Sequence, residues 1–282
     1  MTGYFVHCTK IFCVCNDLGA MAASRTSSGN SARTLGLLWR GNDEAVEARL
    51  PRRGPRPRLS VDALVEAAIA IADHDGLDAV KMRAVADRVG SSPMTLYTYV
   101  PGKAELLDLM LDALYVAMPR APWSRRQGWP ARLRVVAEAN RALFEAHPWA
   151  ARVSTARPPL GPGLMAKYEH ELAALEGLGL GAVEMDAALG FLLAFVQGSA
   201  VAVQDAASTN AESGDDAIWW AEVAPLLERL VDPAAYPLAS RVGSAVGAEL
   251  GAAFDPEYAY AFGLERVLDG LGALIERPAA RR

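Results

Sequence analysis

Cysteine is almost missing from this chain, and the three present, Cys8, Cys13 and Cys15, all lie near the N-terminus beside His7. Their spacing is neither Cys-x-x-Cys nor a paired zinc pattern, and no later cluster completes four ligands, so no metal and no cofactor are expected. Alternating β-branched runs are also scarce, while Ala, Leu, Arg and Glu dominate, which makes the chain all-α. No apolar run reaches the roughly twenty residues that span a bilayer. The most apolar stretch, residues 187–203, is interrupted by Gln197 and flanked by Asp186 and Asp205, and is expected as a buried helix. A secretory signal is not expected either, because Lys10 sits inside the first apolar run and no convincing small-residue cleavage site follows. The chain is therefore expected in the cytoplasm with no membrane partner. HExxH, GxSxG, a phosphate-binding glycine loop and paired carboxylates in a recognisable setting are all lacking, so no catalytic residue is nominated and no enzyme is expected.

What is present is a large apolar content and an uneven charge. The 282 residues are 52% hydrophobic and carry a net charge of −5, enough apolar material for one large or two modest domains. Five Lys/Arg face four Asp/Glu in residues 1–50, eight face six in 51–103, and fifteen face twenty-three in 104–282. The acidic excess thus lies in the C-terminal part, and a nucleic-acid footprint depends on local rather than total charge.

The stretch from Val80 to Lys103, VKMRAVADRVGSSPMTLYTYVPGK, organises the rest. Val85, Ala86 and Val89 share one helical face, and Gly90 supplies the left-handed residue that ends a helix. Ser92 followed by Pro93 reads as an N-cap with proline in the first turn, so a second short helix starts at once. Leu96 and Val100 face inward on it, Thr95, Tyr97, Thr98 and Tyr99 occupy the other faces, and Pro101-Gly102 ends it. Two short helices joined by a tight glycine turn form a helix-turn-helix, whose second helix can enter a DNA major groove. The alternative is a helical hairpin in an all-α core. A solvated face is usually rich in Glu and Lys, whereas this one carries hydroxyls and phenols suited to phosphates and base edges.

Gly76-Leu77, the Arg83-x-Val-Ala run, Gly90 and the segment Thr95-Leu-Tyr-Thr-Tyr-Val-Pro-Gly-Lys103 resemble the DNA-binding domain of the tetracycline-repressor (TetR) family. The likeness runs from Ser60 to Met118, and residues 147–158 and 256–271 resemble the family's regulatory domain more loosely. It implies a ligand-responsive transcriptional regulator, most often a repressor, that binds a near-palindromic double-stranded operator as a homodimer. By that resemblance Thr95, Thr98 and Tyr99 face the groove, Tyr97 and Lys103 face phosphates, and Arg83 approaches DNA from the preceding helix. Lys81 stands where the family usually offers a Ser or Thr cap; it cannot cap through an oxygen but adds a cation. Ser92, Pro93 and Met94 begin the reading helix, and the last two offer only apolar contact.

The expected organisation is a flexible N-terminal extension over residues 1–50, a basic Pro/Arg arm over 51–59, a DNA-binding domain over 60–118 and a regulatory, ligand-binding and dimerisation domain over 119–282. Met21 is the expected natural start, with one short helical turn over residues 32–40. In the arm, Arg52, Arg53, Arg56 and Arg58 alternate with prolines; Arg56 and Arg58 are nominated for the phosphates or minor groove, against the plainer reading of a linker. Six further helices are expected over 129–146, 148–154, 163–178, 183–206, 216–230 and 256–275. Gly190, Ala194 and Gly198 in one, and Gly263, Val267 and Gly270 in another, form small-residue stripes that allow close helix approach. The resemblance assigns these two helices to a dimer bundle; a close-packed intrachain core explains them equally well. Candidate walls for an unidentified small-molecule effector are Asn140, Phe144, His147, Trp149, Met165, Tyr168, Phe191, Phe195 and Gln197, with His170 as a further polar group. Tetracycline repressors carry a magnesium-binding histidine before their Thr-Arg-Pro. It has no counterpart in Val153-Ser154-Thr155-Ala156-Arg157-Pro158, so tetracycline–magnesium is not the expected ligand. An all-α enzyme or small-molecule-binding protein with a purely structural hairpin remains the alternative.

Overall fold

Short-range signals start and stop most helices of the computed structural model, which describes residues 31–40, 59–124, 126–155 and 157–276. Helix α1 spans Ser31–Leu38. Ser60 caps α2 (Val61–Asp75) by accepting the Ala63 N–H at 3.1 Å, and Gly76, at φ +81°, ends it before a 3-10 turn over Leu77–Ala79. Helices α3 (Met82–Arg88), α4 (Pro93–Tyr99) and α5 (Lys103–Ala117) follow. Leu64, Ala68, Val80, Val85, Ala86, Leu96, Val100, Leu106 and Met110 form their shared, almost fully buried core. Each large aliphatic chain sealed there contributes about 1.5–3 kcal/mol relative to exposure. The all-α expectation holds: every secondary-structure element of the described residues is a helix.

The chain divides into two compact units, residues 1–119 with 152–168, and residues 120–151 with 169–282. Segment 152–168 thus joins the unit that holds the helix-turn-helix. The reason is a contact on α5. Asp112, 5% exposed, accepts the N–H groups of Gly163 at 3.2 Å and Leu164 at 2.9 Å, in the first turn of α8 (Pro162–Leu172). Burial pushes its carboxyl above the ordinary 3.8, and those two bonds and the charge of Arg40 pull it back. A β-carbon at Gly161 would lie 2.4 Å from the Asp112 carboxylate, so glycine is what lets the loop approach this closely.

The second unit contains α6 (Trp129–Ala146), the short α7 (Pro148–Ala151), α9 (Ala182–Ser213), α10 (Asp216–Leu230), α11 (Pro237–Leu250) and α12 (Pro256–Ile275). Its core is Leu133, Val136 and Ala137 of α6 against Leu189, Leu192 and Val196 of α9 and Leu264, Val267, Leu268 and Leu271 of α12. Asp255 caps α12 by accepting the Glu257 and Tyr258 N–H groups. Arg134 makes a forked pair with Glu265, and Arg141 bridges Glu145 and Glu257, tying α6 to α12.

Three sequence expectations need correction. The stretch 187–203 is not buried all round: Leu189, Leu192 and Val196 are sealed in the core, whereas Gly190, Phe191, Ala194 and Gly198 are exposed. By length and composition α9 is apolar enough to cross a membrane, although its buried stripe is a core element of this unit. Helix α11 had no sequence forecast, because its Ala, Gly and Ser residues make no core stripe; neither it nor α10 buries a residue. Finally, α8 ends at Leu172 rather than 178, and α9 runs on to Ser213 rather than 206.

Candidate nucleic-acid interface

The turn between α3 and α4 is closed by backbone geometry. Gly90 sits at φ +66°, and the Ser91 N–H reaches back to the Ala86 carbonyl at 2.9 Å, the bond that ends a helix through a left-handed residue. Ser92 then accepts the Thr95 N–H at 3.2 Å and Pro93 occupies the first turn, so α4 starts four residues after α3 stops. Leu96 and Val100 are fully buried and set the rotation of the helix. With those two inside, Met94, Thr95, Tyr97 and Thr98 point to solvent and Pro93 and Tyr99 are half-buried. Met94 is 78% exposed, against the usual burial of methionine, and Tyr97 is 46% exposed.

The hydroxyls on this face are linked. Ser92 Oγ lies 2.9 Å from Thr95 Oγ1, and Thr98 Oγ1 donates to the Thr95 carbonyl at 2.6 Å. These bonds hold the Thr95 and Thr98 hydroxyls in place and leave the oxygens with acceptor capacity for donor groups on base edges. Lys81, Arg83 and Arg88 on α3 are exposed. Lys81 provides no side-chain cap to α3, as its chemistry requires. Lys103 is placed differently from an open phosphate ligand: it is half-buried and its Nζ donates to the Leu77 carbonyl at 3.1 Å, stapling α5 to the 3-10 turn. Arg56 and Arg58 lie outside the described residues.

The effector candidates do not converge on one cavity. Phe144 lines a cavity of ≈ 240 Å³ in the second unit, between α6 and α9, with Arg141, Val196, Ser199, Ala200, Val203, Gln204 and Tyr260. Asn140 is buried and its amide is committed to the Val136 carbonyl and to Glu171. Trp149 is buried with its ring edge-on to His147, and Gln197 donates to the Ala151 carbonyl at 2.7 Å. Phe195 stacks on Tyr260 and covers Gly263. His170 stacks on Trp123 at 4.5 Å, while Phe191 is 55% exposed. Met165 and Tyr168 belong to the first unit. Sequence reasoning missed Arg141, Gln204 and Tyr260; the i,i+4 spacing of Arg141 and Glu145 was the one available signal. Arg141 sits 4.5 Å above the Tyr260 ring, with both carboxylates neutralising it. Burial and the bond to Glu138 push the Tyr260 hydroxyl far above its ordinary range. Among the described residues no group of three acidic, His or Cys side chains could hold a metal ion.

A three-helix head presenting the outer face of α4, joined to a separately cored helical unit, defines a helix-turn-helix DNA-binding transcriptional regulator. Residues 64–110 match the profile described as bacterial regulatory proteins, tetR family, and residues 121–275 match that of the tetracyclin repressor-like C-terminal domain; the chain belongs to the TetR family. The HTH-type transcriptional repressor DrrR1 of Streptomyces coeruleorubidus is 38% identical over 260 residues, covering 91% of this chain and 92% of that protein. An HTH-type transcriptional regulator of Saccharopolyspora erythraea is 33% identical over 179 residues, covering 63% of this chain and 71% of its own length. Among solved structures, the TetR family protein ActR of Streptomyces coelicolor, in complex with (S)-DNPA, is similar at TM-score 0.62 and 25% identity, over 77% of this chain and 98% of that one.

Proposed function

We propose that a homodimer of this chain represses transcription in the cytoplasm by holding a near-palindromic operator, and that a small apolar effector in the α6–α9 cavity releases it. The observation that carries this reading is the outer face of α4, where hydroxyls, a phenol and an exposed methionine stand in place of a solvating Glu/Lys face. Thr95, Thr98 and Tyr99 read base edges, Ser92, Pro93 and Met94 make the first contacts, and Lys81, Arg83 and Tyr97 hold phosphates, with Arg56 and Arg58 ahead of α2. Lys103 contributes through the Leu77 bond as much as through its charge. The reading involves no catalytic step, metal or cofactor.

Two further observations support the assembly and the effector. On α9, a β-carbon at Gly190 or Gly198 would meet nothing within 4 Å among the described residues, which leaves their stripe open to the same stripe of a second copy. Gly263 differs, since Phe195 already fills the space over it. The similar ActR structure holds a small molecule, (S)-DNPA. Here the cavity walls are mostly apolar and the charge of Arg141 is already met by two carboxylates, which favours an uncharged effector. At ≈ 240 Å³ the cavity is smaller than the roughly 300–1,000 Å³ of sites for drug-sized ligands. An effector of that size must therefore spread α6 from α9, which gives it unequal affinity for two states, the condition for any allosteric release. Helix α8, whose first turns belong to one unit and whose last residues to the other, is one of three covalent links through which that displacement can pass.

The expected behaviour of Ala200→Phe tests this site. A ring there fills the cavity, so a compound that raises the melting temperature of the wild-type chain and frees it from its operator should do neither to the variant, while operator affinity stays within about threefold. Release of the variant at the same compound concentration would place the effector elsewhere.

A further inference from the structure

Helix α1 precedes both matched family segments, which begin at residue 64, yet it is docked rather than loose. Its Thr34 and Leu38 are only 4% and 5% exposed, and the helix packs along α5. The two residues after it reach in different directions. The Trp39 indole N–H donates to the Leu160 carbonyl at 2.8 Å, just before the glycines that rest on Asp112. The Arg40 guanidinium donates to the Leu37 carbonyl at 2.7 Å and pairs with Asp62 in the first turn of α2. Its positive charge also acts on Asp112. One short element thus touches the start of the reading head, the length of α5 and the loop that leads into α8. All of these lie in the first unit.

We propose that α1 is a strap whose Leu38, Trp39 and Arg40 are positioning residues: they hold the 160–164 loop on α5 and fix the start of α2, so that operator affinity depends on residues outside the helix-turn-helix. The physical case is one of shared partners. Asp112 is held by two loop N–H groups on one side, and the same loop is held through Leu160 by Trp39. Any displacement of the loop away from α5 breaks both sets together. Because the same short segment holds α2 through Arg40, undocking of the strap frees the loop and the start of the head together. Each exposed contact is weak, because the Arg40–Asp62 pair is screened by water. Most of the strength lies in the burial of Leu38, which is why the strap acts as a unit.

The test uses the full chain with Leu38→Asp, Trp39→Phe, Arg40→Asp and the charge-swapped pair Arg40→Asp with Asp62→Arg. The first readout is amide hydrogen exchange at Gly163 and Leu164, with Leu96 and Val100 as controls for general unfolding. Leu38→Asp should speed exchange at Gly163 and Leu164 at least tenfold, and Trp39→Phe about three- to fivefold, with Leu96 and Val100 unchanged in the latter. The second readout is affinity for the duplex that the wild-type chain enriches from a random pool. It should fall three- to tenfold in Arg40→Asp and recover in the swapped pair. Unchanged exchange at Gly163 and Leu164 in Trp39→Phe overturns the strap even if Leu38→Asp simply unfolds. Faster exchange with unaltered duplex affinity overturns the positioning role. The second readout alone rests on the operator reading: if the wild-type chain enriches no duplex, that reading fails and the exchange comparison still decides the strap.

Discussion

Replacing Gly163 with alanine is expected to destabilise the first unit by at least about 3 kcal/mol, the upper range for overpacking a tight contact. The added β-carbon would lie 2.2 Å from the Asp112 carbonyl oxygen and 2.9 Å from the Val116 backbone nitrogen. Both obstacles are backbone of α5, so no side-chain rotation relieves them; the first turn of α8 must lift away and lose its two bonds to Asp112. At roughly 2–4 °C per kcal/mol for a chain of this size, the unfolding midpoint should drop by about 6–12 °C. Gly161→Ala offers the internal control. The three atoms nearest its β-carbon are all of the Asp112 carboxylate, at 2.4–2.5 Å, which a side chain can vacate. In an Asp112→Ala background, Gly161→Ala should therefore cost little further, whereas Gly163→Ala should keep most of its cost. Scanning calorimetry or circular dichroism melting of the three single and two double variants checks the set, and a Gly163→Ala midpoint within 2 °C of wild type would refute the contact.

The second large effect concerns α4. Thr98→Ala should change which base the protein prefers at one operator position, by about 1–3 kcal/mol or roughly 5- to 160-fold. Thr98 is exposed, and among the described residues its hydroxyl bonds the Thr95 carbonyl alone, so the substitution leaves Leu96 and Val100 in place and the melting curve close to wild type. Tyr97→Ala acts on a side chain assigned to a phosphate and should weaken all duplexes to a similar degree while leaving the salt slope unchanged, because a phenol hydroxyl donates a hydrogen bond and displaces no counterion. Enrichment from a random pool by each variant, compared with wild type, separates the two. A Thr98→Ala pool indistinguishable from the wild-type pool would show that this hydroxyl reads nothing.

How far the chain was legible depends on where each signal resides. Ser60, Gly76, Gly90, Ser92-Pro93 and Pro101-Gly102 act through caps, left-handed turns and fixed φ, all confined to a few neighbours, and the helices they delimit occur where those residues put them. The inward faces of α2 to α5 were equally readable, because Leu64, Ile71, Val85, Leu96 and Met110 repeat at the helical period and all are buried. Lys103 shows the limit. Its position suggested a phosphate ligand, whereas its partner, the Leu77 carbonyl, lies 26 residues away and exists only in the folded chain. The effector site was less legible for the same reason. Phe144, Trp149 and Phe191 are alike in sequence, yet one lines a cavity, one is sealed in the core and one faces outward. The docking of α1 could not be foreseen either, since it depends on Leu160 and Asp62, which are distant along the sequence.

Equilibrium affinity for the duplex enriched by the wild-type chain, set against a scrambled duplex of the same length over a series of salt concentrations, bears most directly on the central claim. If the outer face of α4 reads DNA, the enriched duplex binds at least about 10³-fold more tightly at a given salt, and log affinity falls steeply and linearly with log salt because contacts to phosphates release condensed counterions. Equal affinity for the two duplexes, or no binding to either at low salt, contradicts it.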